Sequence, residues 1–200
     1  MSKTIPTPVG KAYYPRIDTP DTKFNPDGVY SCKLHVSEAD YNSFELMMKD
    51  IVNKAYQEEC SKRGVSSLKL AGTSPLRVTK DGDYEIYAKQ VAKKDTRKGL
   101  LTFSVSVFDA KGNKLQEVPK IGSGSTLKMG VEVFPYFTDL NGFGYSLRLK
   151  AIQVLDLVEY NAGDASSFGF SSEEEGFTSS GESLTEAFDA NEKTLEQAPF

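Results

Sequence analysis

Residues 127–137 have the sequence Leu-Lys-Met-Gly-Val-Glu-Val-Phe-Pro-Tyr-Phe. Leu127, Met129, Val131 and Val133 occupy alternate positions, and polar or small residues separate them. Alternation with a period of two places every second side chain on the same face of an extended chain, which is typical of a half-buried β-strand. The segment therefore predicts a long strand with one apolar face, and the fold is expected to be mainly β.

The same alternation recurs on both sides of this segment. It is present at residues 29–36, 84–89, 101–107 and 145–158. Turn signals separate these runs, at residues 25–28, 109–113 and 139–142. About five antiparallel strands of this kind favour a small β-barrel or sandwich over a parallel α/β sheet.

The first 28 residues contain five prolines. Proline removes a backbone donor and cannot continue a helix, so a long helix is excluded here. We expect an extended arm, with a short strand near Lys11–Ile17.

One helix is predicted, over residues 37–63. Ser37 and Asp40 have the spacing of a capping box, and Gly64 follows where a left-handed residue ends a helix. Apolar residues recur every three or four positions and form one stripe. The stripe consists of Tyr41, Phe44, Met48, Ile51, Val52 and Ala55. A helix that covers the domain's own barrel is favoured over a helix that binds a partner.

The charge of the chain divides into two opposed parts. Residues 1–160 contain 23 Lys and Arg against 19 Asp and Glu, whereas residues 161–200 contain one basic and nine acidic side chains. The second segment has no Val or Ile but holds five of the twelve phenylalanines. Such a composition cannot bury enough apolar area to offset chain entropy. We expect a folded domain at 1–160 and a disordered acidic, phenylalanine-containing interaction tail at 161–200.

Several classes of function are disfavoured. No apolar run approaches the roughly 20 residues needed to span a bilayer, and the N-terminus lacks the apolar core of a signal peptide. Cys32 and Cys60 have no partner at a metal-ligand spacing and are expected to be free thiols in a reducing cytoplasm. His35 is the only histidine, and no nucleophile signature accompanies it. The glycine-rich run 121–125 lacks the lysine of a phosphate-binding loop. We predict no metal, no cofactor and no catalytic activity.

A basic window accompanied by aromatic residues indicates a nucleic-acid surface. Residues 89–98 contain five cations and one carboxylate, and taken alone they would equally suit a solvated loop. Tyrosine and phenylalanine near other cations favour single-stranded nucleic acid, because cations follow phosphates and rings stack on unpaired bases. The predicted contacts from this pattern are Tyr87, Lys89, Lys93, Lys94, Arg97, Lys98, Lys128, Tyr136, Phe137, Arg148 and Lys150.

The chain resembles the single-stranded DNA-binding proteins of T-seven-type bacteriophages over roughly residues 25–158. The matching residues are Asn25-Pro26, Gly28-Val29-Tyr30, Asp109, Lys111-Gly112, Lys114, Val118-Pro119, Ile121-Gly122, Gly124-Ser125, Leu127-Lys128 and Pro135-Tyr136, with an acidic tail closing on Phe200. The resemblance implies an OB-fold barrel of about five antiparallel strands with one long α-helix between strands.

This resemblance also implies a function. Family members coat single-stranded DNA during phage replication, recombination and strand annealing, in the cytoplasm of the infected bacterial host. By resemblance, Lys3 and Tyr136 lie near the DNA. The tail is expected to contact the phage DNA polymerase and primase-helicase. Its partner-binding residues would be Glu192, Glu196 and Phe200.

Two rival classes stay open at this point. A protein-interaction adaptor with a β-barrel core would not bind oligonucleotides in a salt-dependent way. A nuclease would cleave DNA on addition of a divalent metal, although no cluster of carboxylates supports one. The sequence leaves a monomer and a homodimer both open.

Overall fold

The computed structural model describes residues 4–97 and 99–159 of the chain. Within them lie ten strands and one helix. The elements are β1 Ile5–Pro6, β2 Gly10–Asp21, β3 Val29–Val36, α1 Glu38–Arg63, β4 Leu76–Val78, β5 Tyr84–Val91, β6 Lys93–Thr96, β7 Gly99–Thr102, β8 Ser106–Phe108, β9 Thr126–Thr138 and β10 Gly142–Asp156.

Five of these strands close into a barrel. The hydrogen-bonded order runs β9-β2-β3-β5-β10, and β10 pairs with β9 again, so the ring has no free edge. The β5–β10 pairing is parallel, and the other four are antiparallel. In chain order the five strands pair as 1-2-3-5-4-1, which is the closure of a Greek-key OB-fold barrel. The predicted five-stranded OB-fold is therefore confirmed, and three short strands pair with its members, β1 with β9, β4 with β5 and β8 with β10.

The barrel interior is filled by the alternating residues that predicted the strands. Leu127, Met129 and Val131 of β9 are completely buried, as are Leu34 and Ile86 of the neighbouring strands. Along β10 the inward set shifts after Leu149, because a register irregularity between Leu149 and Ala151 turns Ile152 inwards instead of Ala151. A bulge of this kind changes which face a residue occupies without ending the strand.

The helix begins and ends where the sequence predicts. The Ser37 hydroxyl accepts a hydrogen bond from the Asp40 N–H at the N-cap. Gly64 adopts a left-handed conformation with φ 66° at the other end, and the Val65 N–H donates to the Cys60 carbonyl. Tyr41, Phe44 and Met48 are buried in the barrel's core cluster. The interpretation of α1 as a helix covering its own barrel is confirmed.

The N-terminal segment differs from the expected arm with a short strand. Residues Gly10–Asp21 form a barrel strand of 12 residues that pairs with β3 and β9. Pro15 and Pro20 are tolerated because the β2–β3 register shifts between Tyr13 and Arg16 and again before Asp21, so regular ladder bonds are not required there.

The alternating run 101–107 also differs from the prediction, because it is not one strand. Its first part belongs to β7, which pairs with β6 in a separate two-stranded sheet, where Leu101 is exposed. Its last part belongs to β8, which pairs with β10 and buries Val107. Between the two parts, the N–H of Phe103 donates to the carbonyl of Ala92, the residue before β6. The alternation continues across the break because both parts are extended. In each part every second side chain is on the same face of its own sheet.

Candidate nucleic-acid interface

The outer face of four adjacent barrel strands carries a row of cations. Arg16 on β2 pairs in register with Ser31 on β3, Ser31 pairs with Lys89 on β5, and Lys89 pairs with Arg148 on β10. Neighbouring strands lie about 4.7–4.9 Å apart, so Arg16, Lys89 and Arg148 are spaced along a single line across the sheet. We call this surface, together with Tyr13, Lys33 and Tyr87, the cationic face.

A second row, parallel to the first, combines rings with a cation. Tyr13 on β2 pairs with Lys33 on β3, which pairs with Tyr87 on β5. Tyr87 is half-buried, and burial raises its pKa, while a hydrogen bond with Ser31 acts in the opposite direction. Its phenol is therefore neutral at pH 7 and presents a ring without adding a negative charge. The row places one aromatic side chain on each side of the Lys33 ammonium group.

A buried carboxylate organises the cations at the end of this face. Glu85 is almost completely buried, and its Oε1 lies 2.6 Å from Nη2 of Arg77. Its Oε2 lies 3.7 Å from Nζ of Lys33 and 3.6 Å from Nε2 of His35. The side chains of Lys33 and Arg77 remain 34% and 53% exposed. Glu85 therefore anchors these groups from beneath and leaves them accessible to an anion.

Arg148 lies against an aromatic ring. Its guanidinium carbon is 3.4 Å from the ring centroid of Phe134 on β9, a cation–π contact that holds the planar group flat against the barrel. Two residues further along β10, Nζ of Lys150 lies 3.6 Å from a carboxylate oxygen of Glu132. Lys150 is therefore a neighbour of the cationic face whose charge is partly offset.

The predicted basic window forms a hairpin beyond the end of β5. Lys93 and Lys94 lie on β6 and Arg97 lies in the turn before β7, all exposed. Leu100 and Leu101 lie opposite Asp95 and Lys94 in the pairing register, and both are exposed. The hairpin thus carries cations and apolar side chains together, and it begins four residues after Lys89. Lys98, like Lys3, lies outside the described residues.

Three predicted residues of β9 lie to either side of Glu132, the residue that pairs in register with Arg148. Tyr136 is half-buried over Gly144, where a Cβ would come within 2.8 Å of its hydroxyl oxygen. Phe137 lies beneath α1, with the guanidinium carbon of Arg63 3.8 Å from its ring centroid. Lys128 pairs with Gln153 and lies four residues from Glu132, which is about 13 Å along the strand. The structure therefore brings together Tyr87, Lys89 and Arg148 but does not add these three.

The structure adds functional candidates that the sequence did not single out. They are Tyr13, Arg16, Lys33, Arg77 and Phe134. Tyr13 and Arg16 were missed because their segment was interpreted as an arm. Lys33 had a usable signal, since it occupies the polar face of the alternating run 29–36. Glu192, Glu196, Phe200 and the whole predicted tail 161–200 lie outside the described residues.

The glycine-rich run 121–125 is a structural bend. The buried hydroxyl of Ser125 lies within hydrogen-bond distance of two carbonyl acceptors, those of Gly122 and Val158, and accepts from the Val158 N–H. The run leads directly into β9, and no helix follows it. These bonds join the start of β9 to the residues after β10.

Two further findings concern metals and membranes. In residues 4–97 and 99–159 no three His, Cys, Asp or Glu side chains come together as a potential metal-binding group. Over the same residues, no helix is long and apolar enough to cross a bilayer.

An OB-fold barrel that carries cations and rings on one outer face defines a class of oligonucleotide-binding domains. Comparison with known proteins agrees. Residues 9–157 match the family model of the single-stranded DNA-binding protein of bacteriophage T7. The chain therefore belongs to this family, and the resemblance seen in its sequence is confirmed.

Individual relatives show how similar the chain is to known members. It is 29% identical over 173 residues to the single-stranded DNA-binding protein of Enterobacteria phage T3, a match that covers 78% of this chain and 74% of the relative. The crystal structure of a single-stranded DNA-binding protein encoded by bacteriophage T7 superposes with a TM-score of 0.69 at 24% identity, covering 90% of this chain and 100% of that one.

A more distant structure shares the fold. It is a single-stranded DNA-binding protein from bacteriophage Enc34 in complex with single-stranded DNA, with a TM-score of 0.56 at 11% identity. The match covers 79% of this chain and 89% of that one. At this identity the likeness supports the OB-type barrel and nothing finer.

Proposed function

We propose that this chain binds single-stranded DNA along the cationic face and coats it during phage replication, recombination and strand annealing. The observation that carries the proposal is the pair of parallel rows, Arg16–Lys89–Arg148 and Tyr13–Lys33–Tyr87. Membership of a family named for single-stranded DNA binding supports it. The Enc34 protein, in complex with single-stranded DNA, is an example of this fold holding such a strand.

The cations and the rings of the two rows make different contributions to the binding of a nucleic-acid strand. Ammonium and guanidinium groups neutralise phosphates and release condensed counterions, which provides affinity without regard to sequence. Tyrosine rings stack on unpaired bases, and each such contact contributes about 1–3 kcal/mol. Bases in a duplex are already stacked and turned inwards, so the rings favour single strands. This surface binds and positions the strand, and we propose no catalytic step.

The remaining predictions concern what lies beyond the cationic face. We propose that residues 1–160 form the DNA-binding domain and that the acidic segment 161–200 recruits the phage DNA polymerase and primase-helicase. Glu192, Glu196 and Phe200 are the contacts expected from the sequence, and the host cytoplasm is the expected location. Removal of Phe200 from the full chain should weaken capture of the polymerase while leaving oligonucleotide affinity unchanged.

The test of DNA binding is a fluorescence anisotropy titration with labelled oligo-dT and with a duplex of the same length. We expect oligo-dT to bind more tightly and its log affinity to fall linearly with log salt concentration. A protein-interaction adaptor would give no saturable, salt-dependent binding to either oligonucleotide. Preference for the duplex would contradict the stacking role assigned to the rings.

A further inference from the structure

Tyr14 has an unusual backbone conformation. Its φ is 46°, and among the described residues it is the one non-glycine residue with a positive φ. A bulky side chain rarely adopts this left-handed region, because Cβ approaches the backbone closely. The strain coincides with the register shift between Tyr13 and Arg16, where β2 has one more residue than β3 across the same interval. Strained residues of this kind persist when the surrounding structure holds them and are concentrated at functional sites.

The bulge directs two consecutive rings towards solvent. In a regular strand Tyr13 and Tyr14 would point to opposite faces, and one would enter the barrel. Here Tyr13 is 41% exposed and Tyr14 is 72% exposed. Their ring centroids lie 6.4 Å apart, with the planes at 69°. Re-aiming a side chain is a known use of bulges beside binding sites, and the chain exposes two apolar rings by this means.

Tyr14 is one of the residues that line a groove on the surface of the barrel. The groove has a volume of about 750 Å³ and lies between β2, the 120–124 loop and the residues after β10. Tyr14, Arg16, Lys120 and Ser123 are among its lining residues. The N–H of Tyr14 donates to the Ser123 hydroxyl over 3.0 Å, which ties the bulge to the loop. The volume is in the range of sites that accept a small organic ligand.

Arg16 belongs both to this groove and to the row Arg16–Lys89–Arg148. The groove is therefore continuous with the cationic face. We propose that it is a further nucleotide subsite, in which Tyr14 stacks on one unpaired base while Arg16 and Lys120 hold the adjoining phosphates. This inference rests on the proposed function and extends the path of the strand around β2.

Two carboxylates in the groove oppose the binding of phosphate at this subsite. Asp18 and Glu159 also line it, and both repel a phosphate. Stacking must therefore contribute more here than charge does, and removal of one carboxylate should tighten binding. Asp18→Asn is expected to raise oligo-dT affinity severalfold at low salt, since unscreened repulsion is largest there.

Stability and affinity separate a binding role for Tyr14 from a structural one. Tyr14→Gly relieves the left-handed strain, so thermal stability should stay equal or rise. The same change removes the ring, so oligo-dT affinity should fall by about 5- to 150-fold, the range expected for one stacked base. The control is Leu46→Ala on α1, where another apolar side chain is 67% exposed. It should leave affinity unchanged. A Tyr14→Gly chain that is less stable and binds DNA as before would overturn the proposal.

A fluorescence experiment tests the stacking directly. The chain contains no tryptophan, so Tyr14→Trp and Leu46→Trp each introduce a single reporter. Oligo-dT should quench the tryptophan at 14 and leave the one at 46 unchanged. If the wild-type chain binds oligo-dT and the tryptophan at 14 is not quenched, the subsite is wrong and the cationic face stands. If the wild-type chain does not bind, the proposed function itself fails.

Discussion

The ring of Tyr13 lies flat on the imidazole of His35, with 3.9 Å between the ring centroids and 15° between their planes. Tyr13 on β2 pairs in register with Lys33 on β3. His35 lies two residues beyond Lys33, on the same face of β3. The stack fixes the plane of Tyr13 relative to the barrel while the ring stays 41% exposed. A ring held in this way can accept a base without first losing its own rotational freedom.

Loss of His35 should therefore weaken DNA binding without any contact being removed from the DNA itself. We expect His35→Ala to lower oligo-dT affinity a few-fold, because Tyr13 is released, and His35→Phe to retain most of the affinity, because a flat ring is kept. Anisotropy titrations of the two variants give the comparison. Equal affinities for His35→Ala and the wild-type chain would mean that Tyr13 is not a binding residue.

Tyr136 provides a second test, because it lies two residues beyond Phe134 on the same side of β9, with its ring half-buried over Gly144. We expect Tyr136→Ala to cost more affinity than either Lys93→Ala or Lys94→Ala, since a stacked base contributes about 1–3 kcal/mol and one exposed cation contributes less. Oligo-dT titration at a fixed salt concentration measures all three. An equal or smaller loss for Tyr136→Ala would show that its ring serves only to pack over Gly144.

The packing of β2 against β3 includes a position that admits no side chain. Gly10 is buried where β2 meets β9, and a Cβ there would collide with the His35 carbonyl oxygen and lie 2.7 Å from Cγ of Leu34. Gly10→Ala should lower the free energy of unfolding by about 3 kcal/mol, the upper range for overpacking.

Gly72→Ala is the matched control. It places the same Cβ in open space and should change the stability by less than about 0.5 kcal/mol. Urea denaturation distinguishes the two variants. A Gly10→Ala chain as stable as Gly72→Ala would refute the close approach of β2 to β3 at Gly10.

The two cysteines are predicted to be free thiols, and the structure agrees for both. Cys32 is completely buried, and burial raises the pKa of its thiol from 9.0 to about 12. The reactive thiolate is therefore scarce at pH 8, and Cys32 should resist alkylation in the native protein and react on unfolding. Peptide mass analysis after iodoacetamide treatment tests this. Rapid native alkylation at position 32 would show that the barrel opens.

The sequence predicted the elements whose side chains alternate against a single core. Residues 127–133 and 29–36 form strands as expected, because each packs one face inside the barrel, and the caps at Ser37 and Gly64 depend on neighbouring residues alone. The alternation over 101–107 failed to predict a break, because the strand changes its pairing partner from β6 to β10 without changing its pattern.

The site was less predictable than the fold, because it depends on register. Tyr87, Lys89 and Arg148 could be selected as cations and rings, but only pairing across β3 and β10 places them in line with Arg16 and Lys33. The left-handed Tyr14 has no sequence signal, since such a conformation normally calls for glycine. Charge and aromatic composition thus indicated the kind of ligand, while the closed barrel determined where the rows lie.

The central claim is that the cationic face binds the phosphates of single-stranded DNA, and the salt dependence of affinity tests it most directly. Lys33→Ala/Lys89→Ala should lower the slope of log affinity against log salt by about 1.4, which corresponds to two phosphate contacts on a single strand. Lys49→Ala/Lys54→Ala removes two exposed cations of α1 and should leave the slope unchanged. Equal slopes for the two double variants, or a larger reduction for the α1 pair, would contradict the account.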